Sequence, residues 1–273
     1  MVAVVFGAQG NVGRHVAAGL RQAGETVRLT SRNPRTGDFV AADLERPETL
    51  PGALDGARKV FLYAKAEGAE GFAEAAKAAG VEHVVLLSSE AIVHPGAEDS
   101  FIARQHRAVE LAIERSGIAW TFVRPGAFAG NCRWWWADSI REEGLVRGAY
   151  PEARTAPIHE KDIADIAVTA LTKPGHEGKA YTVHGPESLS LRTQVGQIAD
   201  ALGRDIVFEQ ITPDEAREDM SRSLPPVVVD AVLNHWASAN GVPAETSDIV
   251  HQVTGQPAHT FAEWARTHKA DFL

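Results

Sequence analysis

Three glycines near the start of the chain constrain its fold more than any other feature. An apolar run from Val2 leads directly into Gly7, Gly10 and Gly13, and an amphipathic helical pattern then runs to Gly24. Strand, glycine turn and helix in this succession are the setting in which a glycine-rich loop binds the pyrophosphate of a dinucleotide. Glycine is required because a Cβ atom would hold the backbone away from the phosphates, to which the helix N-terminus offers N–H groups. The alternative is an ordinary tight turn.

The end of the second predicted strand, residues 25–32, indicates which dinucleotide binds. Proteins that prefer NAD place an acidic side chain there for the ribose 2′-hydroxyl, whereas this chain has Ser31 and Arg32. A hydroxyl and a guanidinium suit a 2′-phosphate instead, so NADP(H) is the predicted cofactor. The alternative is that Arg32 and Arg35 are solvated loop charges. The predicted contacts around the glycine turn are Gly7, Gln9, Gly10, Asn11, Val12, Gly13 and Arg14, the last of which is expected to reach the same 2′-phosphate.

Further strands alternate with helices along the first half of the chain. Strands are predicted at 39–42, 59–64, 83–89 and 120–123, and helices at 47–54, 68–79 and 100–116 lie between them. This alternation implies an α/β fold with a doubly wound parallel sheet of Rossmann type, in which ligands bind beyond the carboxyl ends of the strands. The predicted contacts at those ends include Ala64, Ser88 and Ser89.

The helix predicted at 100–116 carries a polar residue on its apolar face. Ile102, His106, Val109 and Ile113 recur at helical spacing, so this stripe is expected to pack on the sheet. A crossover helix runs antiparallel to its strands, which brings its first turns to the ligand edge. His106 is therefore a candidate site residue, and the alternative is a core histidine satisfied by a backbone partner.

Composition limits the other classes of function. The 273 residues carry a net charge of −9 without a basic run, and nucleic-acid binding draws most of its affinity from neutralising phosphates. A single cysteine, Cys132, excludes an internal disulfide, and the adjacent His159 and Glu160 lack a third ligand at useful spacing, so no metal is predicted. No apolar stretch is long enough to cross a bilayer and no secretory signal pattern opens the chain. We therefore expect a cytoplasmic protein that binds neither nucleic acid nor membrane.

Two segments carry a family resemblance. The Gly-Ala-x-Gly-x-x-Gly turn at 7–13 and the succession Ser-Gly, strand, Arg-Pro, Phe, Asn at 116–131 resemble the NmrA-like branch of the atypical short-chain dehydrogenases/reductases, which includes type 2 quinone oxidoreductases. The resemblance implies NAD(P)H binding to a Rossmann-type core and a small, mostly helical C-terminal lobe over the substrate. It also implies cofactor contacts from Asp43, Leu44, Pro125 and Phe128 and a substrate contact from Asn131. For Asp43 the alternative is a helix cap or a loop charge.

The resemblance also bears on catalysis. Related reductases often carry a lysine at the position of His106. The tyrosine–lysine pair of standard short-chain dehydrogenases is absent here, since none of Tyr63, Tyr150 and Tyr181 is followed by a lysine four residues later. We predict His106 as the proton donor, because the ordinary pKa of an imidazole is close to working pH. Ser88 is predicted to bond the substrate oxygen or the nicotinamide ribose.

Three consecutive tryptophans, Trp134, Trp135 and Trp136, follow this motif. Three neighbouring side chains cannot all point the same way on a regular element. Some are expected to line a cavity for a flat, apolar substrate, and Trp134 and Trp135 are the predicted contacts. Packing within the lobe or against another subunit is the alternative, because tryptophan is enriched in both settings.

We therefore predict an NADPH-dependent oxidoreductase that transfers a hydride to a small, flat, electron-poor molecule such as a quinone or a conjugated carbonyl. The alternative, favoured by the missing tyrosine–lysine pair, is a non-catalytic regulatory protein that senses the NADP redox state. The chain is expected to be one structural unit, as a monomer or homodimer, with 1–133 as the NADP-binding core and 134–273 as the substrate lobe. Residues 145–184 are expected to add strands and a helix to the main fold.

Overall fold

A computed structural model describes residues 2–34, 37–222 and 224–273, so Arg35 lies outside the described residues. The strands fall close to the predicted positions in the first half of the chain. In order, those of the described chain are β1 (Val2–Val5), β2 (Thr26–Ser31), β3 (Phe39–Ala41), β4 (Ala57–Tyr63), β5 (His83–Leu87), β6 (Ala119–Pro125), β7 (Leu145–Gly148), β8 (Arg154–Thr155), β9 (Lys179–Val183), β10 (Leu189–Ser190) and β11 (Val207–Gln210).

Helices separate most of these strands, and short 3₁₀ turns lie at 47–49, 66–68, 90–93, 129–131 and 269–272. Within the described ranges, no helix is both long and apolar enough to cross a membrane. The α-helices are α1 (Gly13–Gln22), α2 (Leu50–Leu54), α3 (Ala69–Ala78), α4 (Phe101–Ser116), α5 (Cys132–Glu143), α6 (Glu160–Thr172), α7 (Leu191–Leu202), α8 (Pro213–Met220), α9 (Pro226–Ser238), α10 (Ile249–Thr254) and α11 (Phe261–Thr267).

Seven strands form one parallel sheet in the order β3-β2-β1-β4-β5-β6-β9. Val5 of β1 lies opposite Leu29 of β2 on one side and Phe61 of β4 on the other. The strand order therefore reverses between β1 and β4, and in such sheets this switch point is where ligands bind. The predicted α/β fold with a doubly wound parallel sheet is confirmed.

Helices cover both faces of this sheet. On one face α2, α3 and α4 bury an apolar core in which the rings of Phe6 and Phe72 meet edge to face, with centroids 5.6 Å apart. On the other face α6 packs on β4, β5 and β6, with α1 and α10 against its flanks. The α1–α6 contact is close, since a Cβ atom on Gly19 would lie 2.8 Å from Cγ2 of Val168.

The chain divides into two compact units by its internal contacts. The sheet unit comprises Met1–Gly126, Glu160–Val183 and Ile249–Pro257, and the helical unit comprises Ala127–His159, His184–Asp248 and Ala258–Leu273. The predicted boundary after residue 133 lies within the helical unit of this division, and the predicted single structural unit stays a prediction. Of the predicted 145–184 addition to the main fold, α6 and β9 lie in the sheet unit, whereas β7 pairs with β11 and β8 with β10 in the helical unit. A four-residue strand such as β7 carries no sequence feature that names its partner.

The helical unit has an apolar core of its own. It is built from α5, α7, α9 and α11, whose buried residues include Ile140, Ile198, Leu233 and Trp264. Helix α5 was not among the predicted elements, because its consecutive tryptophans place large apolar side chains on the exposed as well as the buried face. The stretch 239–248 between α9 and α10 lacks regular helix.

Candidate active site

The glycine turn after β1 has the geometry of a dinucleotide loop. Gly7 has φ +68°, a left-handed conformation that favours glycine, and its carbonyl accepts a hydrogen bond of 2.8 Å from the amide of Gly10. A Cβ atom on Gly13 would lie 2.2 Å from that same carbonyl oxygen. Gly13 is therefore required for the close approach of α1 to the loop, which brings the helix N-terminus to the sheet edge.

The predicted contacts of this loop divide into exposed and buried residues. Gln9, Gly10 and Asn11 are exposed, whereas Val12 and Gly13 are buried where the loop enters α1. The Ser31 hydroxyl at the end of β2 lies 3.4 Å from the side-chain carbonyl oxygen of Gln9. The structure therefore brings together two groups that were predicted from separate segments to contact one cofactor.

The N-terminus of α1 is left without a side-chain cap. Val12, at the N-cap position of α1, makes no side-chain hydrogen bond to the helix, and no acidic residue lies in the first turn. Helices α4, α7, α8 and α11 each begin after a serine or threonine that caps them. Uncapped N–H groups and the helix dipole favour an anion, and the glycine backbone leaves room for one. These residues fit the pyrophosphate of NAD(P)H.

The two predicted phosphate-binding arginines differ in their surroundings. Arg32 is exposed and, among the described residues, its guanidinium makes no hydrogen bond or ion pair. The guanidinium of Arg14 lies 3.8 Å from the carboxylate of Glu160 on α6 and 3.4 Å from the His15 ring. Arg14 therefore already has a protein partner, whereas Arg32 has none among the described residues.

Tyr63, the last residue of β4, lies at the ligand edge of the sheet next to the predicted contact Ala64. Its ring lies against the glycine turn, since a Cβ atom on Gly7 would meet Tyr63 Cδ1 at 2.9 Å. Burial raises the pKa of Tyr63, so the phenol stays neutral at working pH. Ala64, the predicted contact, is partly buried and packs on the core below.

Asp43 and Leu44, predicted around the adenine, are held by local contacts. The Asp43 carboxylate accepts a 3.1 Å hydrogen bond from the amide of Glu45, and its own amide donates to Thr49 Oγ1 at 2.9 Å. Leu44 is buried in the core, and a Cβ atom on Gly68 would lie 2.2 Å from its carbonyl oxygen. Asp43 thus shapes its own loop, as its alternative interpretation holds, and its contact with the cofactor stays a prediction.

A fully buried carboxylate, Glu110 of α4, joins the ends of β5 and β6. Its Oε1 accepts hydrogen bonds from Ser88 Oγ at 2.7 Å and from Arg124 Nε at 2.9 Å. Its Oε2 accepts from Arg124 Nη2 at 2.7 Å and from Arg107 Nη1 at 3.1 Å. The fork of Arg124 therefore binds both carboxylate oxygens, an arrangement that fixes position as well as charge.

This network changes the interpretation of Ser88. Ser88 is buried and its hydroxyl donates to Glu110. The single O–H donor of Ser88 is therefore already used within the protein. Its predicted bond to substrate or ribose stays a prediction. Sequence analysis missed Glu110 and the ion-pair role of Arg124. The spacing of Glu110, four residues after His106 on the inward face of α4, was the pattern that would have found it.

His106 lies beside this network with an unused ring nitrogen. Its Nδ1 is buried and has no hydrogen-bond partner among the described residues. Burial lowers the pKa of His106, and the Glu110 carboxylate opposes that shift with a smaller effect. The predicted inward stripe is wrong at one position, because Ile102 is 36% exposed while Val109 and Ile113 are buried. In the first turn of α4, Phe101 and Ile102 are exposed to solvent, whereas Ala103 is buried.

The remaining predicted contacts of the sheet unit have local roles. The Ser89 hydroxyl accepts a 3.2 Å hydrogen bond from the amide of Ala91 and so caps the turn at 90–93. Pro125 is buried at the end of β6, opposite Val183 of β9. Both residues lie at the carboxyl edge of the sheet, where contact with the cofactor was predicted and stays a prediction.

The predicted residues of the helical unit are spread over several environments. Phe128 pairs through its backbone with Ile158, and Asn131 precedes α5 without capping it through its side chain. Trp134 is 66% exposed. The ring of Trp135 packs edge to face on the rings of Trp136 and Trp236, at centroid distances of 6.0 and 5.1 Å. All three tryptophans also line an open cleft, together with Arg147, Gly148, Leu191, Phe208, Ala216, Asp219, Met220, Leu224 and Trp236.

Trp135 therefore both packs within its unit and borders a cleft, so packing and ligand contact are not exclusive at this position. Its role as a substrate contact, like that of Asn131 and Trp134, stays a prediction. Among residues 2–34, 37–222 and 224–273, no three histidine, cysteine or acidic side chains are grouped so that they could hold a metal ion.

Comparison with known proteins gives a consistent assignment. Residues 7–174 match the NAD(P)H-binding family. The chain is 40% identical to a (4-alkanoyl-5-oxo-2,5-dihydrofuran-3-yl)methyl phosphate reductase of Streptomyces griseus and 35% identical to an NAD(P)H azoreductase of Xenophilus azovorans, and each alignment covers 98% of both chains. Among solved structures, the Escherichia coli quinone oxidoreductase QOR2 in complex with NADPH superimposes with a TM-score of 0.82 at 24% identity, over 98% of this chain and 99% of that one.

The similarity to the structure of QOR2 shows the fold alone, and that fold is the Rossmann-type sheet described above. The match to the family covers more than half of the chain, and the two relatives align over nearly their whole length. The predicted resemblance is confirmed, and so is the predicted class of enzyme. The chain belongs to the NAD(P)H-binding family, in the NmrA-like branch of the atypical short-chain dehydrogenases/reductases, and groups there with NAD(P)H-dependent reductases.

Proposed function

We propose that this protein reduces a small, flat, conjugated acceptor with NADPH, and that the acceptor is an electron-poor alkene conjugated with a carbonyl, or a quinone. The names of the two relatives support this class, because a carbonyl-substituted dihydrofuran and an azo group are both planar conjugated systems. The observation that carries the proposal is the carboxyl edge of the parallel sheet, which bears a glycine turn fitted to a dinucleotide and, on α4, His106, whose Nδ1 has no partner among the described residues.

The preference for NADPH over NADH rests on the end of β2. Ser31 offers a hydroxyl and Arg32 an exposed guanidinium without a protein partner among the described residues. Arginine binds phosphate with paired, charge-assisted hydrogen bonds, and the β2 end lacks the acidic side chain that would bond a ribose 2′-hydroxyl. Arg14 contributes less in this proposal, because Glu160 already lies beside it.

The protein's own residues hold the reactants and supply a proton. Gly7, Gly10 and the start of α1 hold the pyrophosphate by backbone contacts. NADPH, when bound, supplies the hydride and leaves as NADP⁺. The hydride adds to the carbon at the far end of the conjugated system, the alkene π bond breaks, and its electron pair shifts toward the carbonyl oxygen. His106 donates the proton that completes the reduction, and the imidazole regains a proton from solvent.

A panel of acceptors tests this proposal. NADPH oxidation is followed with cyclic enones and quinones for the wild type, His106→Gln and His94→Gln, an exposed-histidine control. General acid catalysis typically contributes about 10²–10⁴-fold, so His106→Gln should lower kcat for enones by about 100-fold or more, and for quinones by less. An unchanged enone rate in His106→Gln would remove the proton-donor role. Tight NADPH binding without turnover of any acceptor would favour the redox-sensing alternative.

The pH dependence gives an independent test of the same role. Burial lowers the pKa of His106 below its ordinary value of 6.5. The protonated donor is therefore lost as the pH rises through this lowered value, so kcat/KM for an enone should decline with a midpoint below 6.5. The decline should be absent in His106→Gln. A midpoint above 7, or the same profile in both proteins, would assign the proton to another group.

A further inference from the structure

Large apolar side chains of the sheet unit are exposed mainly in one place. Among the described residues of this unit, those at least 36% exposed are Val93, Phe101, Ile102 and Leu111. The first three lie within ten residues of one another, with Val93 and Phe101 each 50% exposed and Ile102 36% exposed. Single exposed apolar residues are ordinary, but a group of them marks a surface that another molecule covers.

The position of this group ties it to the reaction. Val93 ends the 3₁₀ turn at 90–93, which follows β5 at the carboxyl edge of the sheet and packs on α4. Phe101 and Ile102 open α4, and Ile102 lies one turn before His106 on the same face. The apolar stripe of α4 thus passes from the core at Val109 to solvent at Ile102, and the candidate proton donor lies between them.

We infer that Val93, Phe101 and Ile102, here called the apolar patch, bind an alkyl or aryl substituent of the substrate while its conjugated group lies at His106. This inference rests on the proposed function and adds a substrate class to it: acceptors that carry an apolar chain next to the reducible bond. The relative that reduces an alkanoyl-bearing compound is in keeping with it.

Two features favour a substrate chain over other occupants. The three patch side chains are uncharged and the first turn of α4 carries no acidic residue, while the exposed Glu98 and Asp99 precede that turn. A second copy of the chain would need about 800 Å² of contact surface for a stable interface, far more than three side chains offer. An alkyl or aryl group matches three side chains in size.

Chain length is the variable that tests the inference. A series of cyclic enones with the same reducible ring and a side chain from methyl to hexyl is reduced with NADPH, and kcat/KM is measured for each. A buried methylene contributes about two- to fourfold, so wild-type kcat/KM should rise by that factor for each of the first carbons. In the Phe101→Ser/Ile102→Ser variant the hexyl-to-methyl ratio should fall at least tenfold.

Leu111→Ser is the matched control, because Leu111 is 37% exposed on the same helix but lies nine residues after Ile102, away from the patch. It should keep the wild-type ratio. An unchanged ratio in the double variant would overturn the inference while leaving the proposed reductase function intact. If the double variant turns a wild-type dimer into a monomer in sedimentation and keeps the ratio, the patch is a subunit contact and the inference is wrong.

Binding separates failure of the inference from failure of the proposed function. If the wild type reduces none of these enones, the proposed function is contradicted, and the saturated ketones of the same series are then titrated by calorimetry against the NADP⁺-loaded protein. A Kd that tightens with chain length in the wild type and not in Phe101→Ser/Ile102→Ser would support the patch. Equal Kd values along the series in the wild type would overturn it.

Discussion

Two helices begin at the same edge of the same sheet, and their first turns are built in opposite ways. Helix α1 starts from a glycine turn, without a side-chain cap and without an acidic residue. Helix α4 starts behind a Ser100 cap, with apolar side chains exposed in its first turn and a buried carboxylate two turns further along. The first is suited to an anionic ligand and the second to a neutral one.

This contrast indicates which part of the fold determines cofactor binding and which part determines substrate specificity. A ligand at α1 is held through backbone groups, which any sequence with the right glycines provides. A ligand at α4 is held through side chains, so a few substitutions there are enough to change the substrate while the cofactor stays the same. We therefore expect variants at α1 to affect cofactor binding alone and variants at α4 to affect substrate and stability.

The largest expected effect is on the α4 side, in Glu110→Gln. Removing the charge leaves the Arg124 guanidinium partly buried beside a neutral amide, and breaking a buried pair typically costs about 3–5 kcal/mol. Urea unfolding should show a loss of that size. Glu114→Gln, which removes the more exposed partner of Arg107, should cost about 1 kcal/mol or less. Equal losses in the two variants would mean that the Glu110 network does not hold α4 to the strand ends.

The second-largest effect is expected at the start of α1, in Gly13→Ala. Its Cβ would lie 2.2 Å from the Gly7 carbonyl oxygen, so loop and helix must move apart. We expect the Kd for NADPH to rise about 100-fold, because overpacking of this kind costs about 1–3 kcal/mol. Gly196→Ala in α7 is the control, since nothing lies within 4 Å of its Cβ position. The Kd of each variant is measured by fluorescence titration with NADPH. Wild-type affinity in Gly13→Ala would contradict the role of the α1 backbone in cofactor binding.

A smaller effect is expected for Arg32→Ala. Loss of charge-assisted hydrogen bonds to the 2′-phosphate should weaken NADPH binding about tenfold to hundredfold and leave the Kd for NADH unchanged. Arg21→Ala removes an exposed cation from the last turn of α1 and should change neither value. Parallel weakening of both cofactors by Arg32→Ala would instead indicate a general electrostatic contribution.

The smallest effect is expected for Ser88→Ala. It removes one hydrogen bond to Glu110, which typically costs about 1–2 kcal/mol of stability when the acceptor keeps other partners. Combining it with Glu110→Gln should cost less than the sum of the two single variants, because both act on the same contact. Strict additivity in urea unfolding would show that the Ser88 hydroxyl acts elsewhere.

Residues close together in sequence were predicted well. The glycine turn, α1 and the strands of the main sheet could be inferred because each shows a local period or a local break. The doubly wound parallel sheet followed from the alternation of strands and helices. Contacts that join distant segments were missed, such as Arg124 of β6 with Glu110 of α4. The position of Glu110 on the inward face of α4 marks a buried carboxylate, but no local pattern identifies Arg124 as its partner.

The error at Ile102 has a related cause. Helical periodicity identifies a face but not the length over which a neighbouring sheet covers it, so Ile102 was assigned to the core with Val109 and Ile113. The same limitation applies to β7, whose partner β11 lies about sixty residues later in the chain. Periodicity therefore determined the elements, whereas their pairing depended on the three-dimensional structure.

The strand order of the main sheet also determines how long a strand edge stays uncovered during translation. Strand β9 covers the outer edge of β6, yet the ribosome makes it only after the whole of 126–178. At roughly 5–20 residues per second, the backbone groups of β6 wait roughly 3–10 s for their neighbour. An uncovered strand edge invites pairing with other chains. The protein is thus most exposed to aggregation while it is being translated, and its yield should respond to chaperone supply more than to the stability of the finished fold.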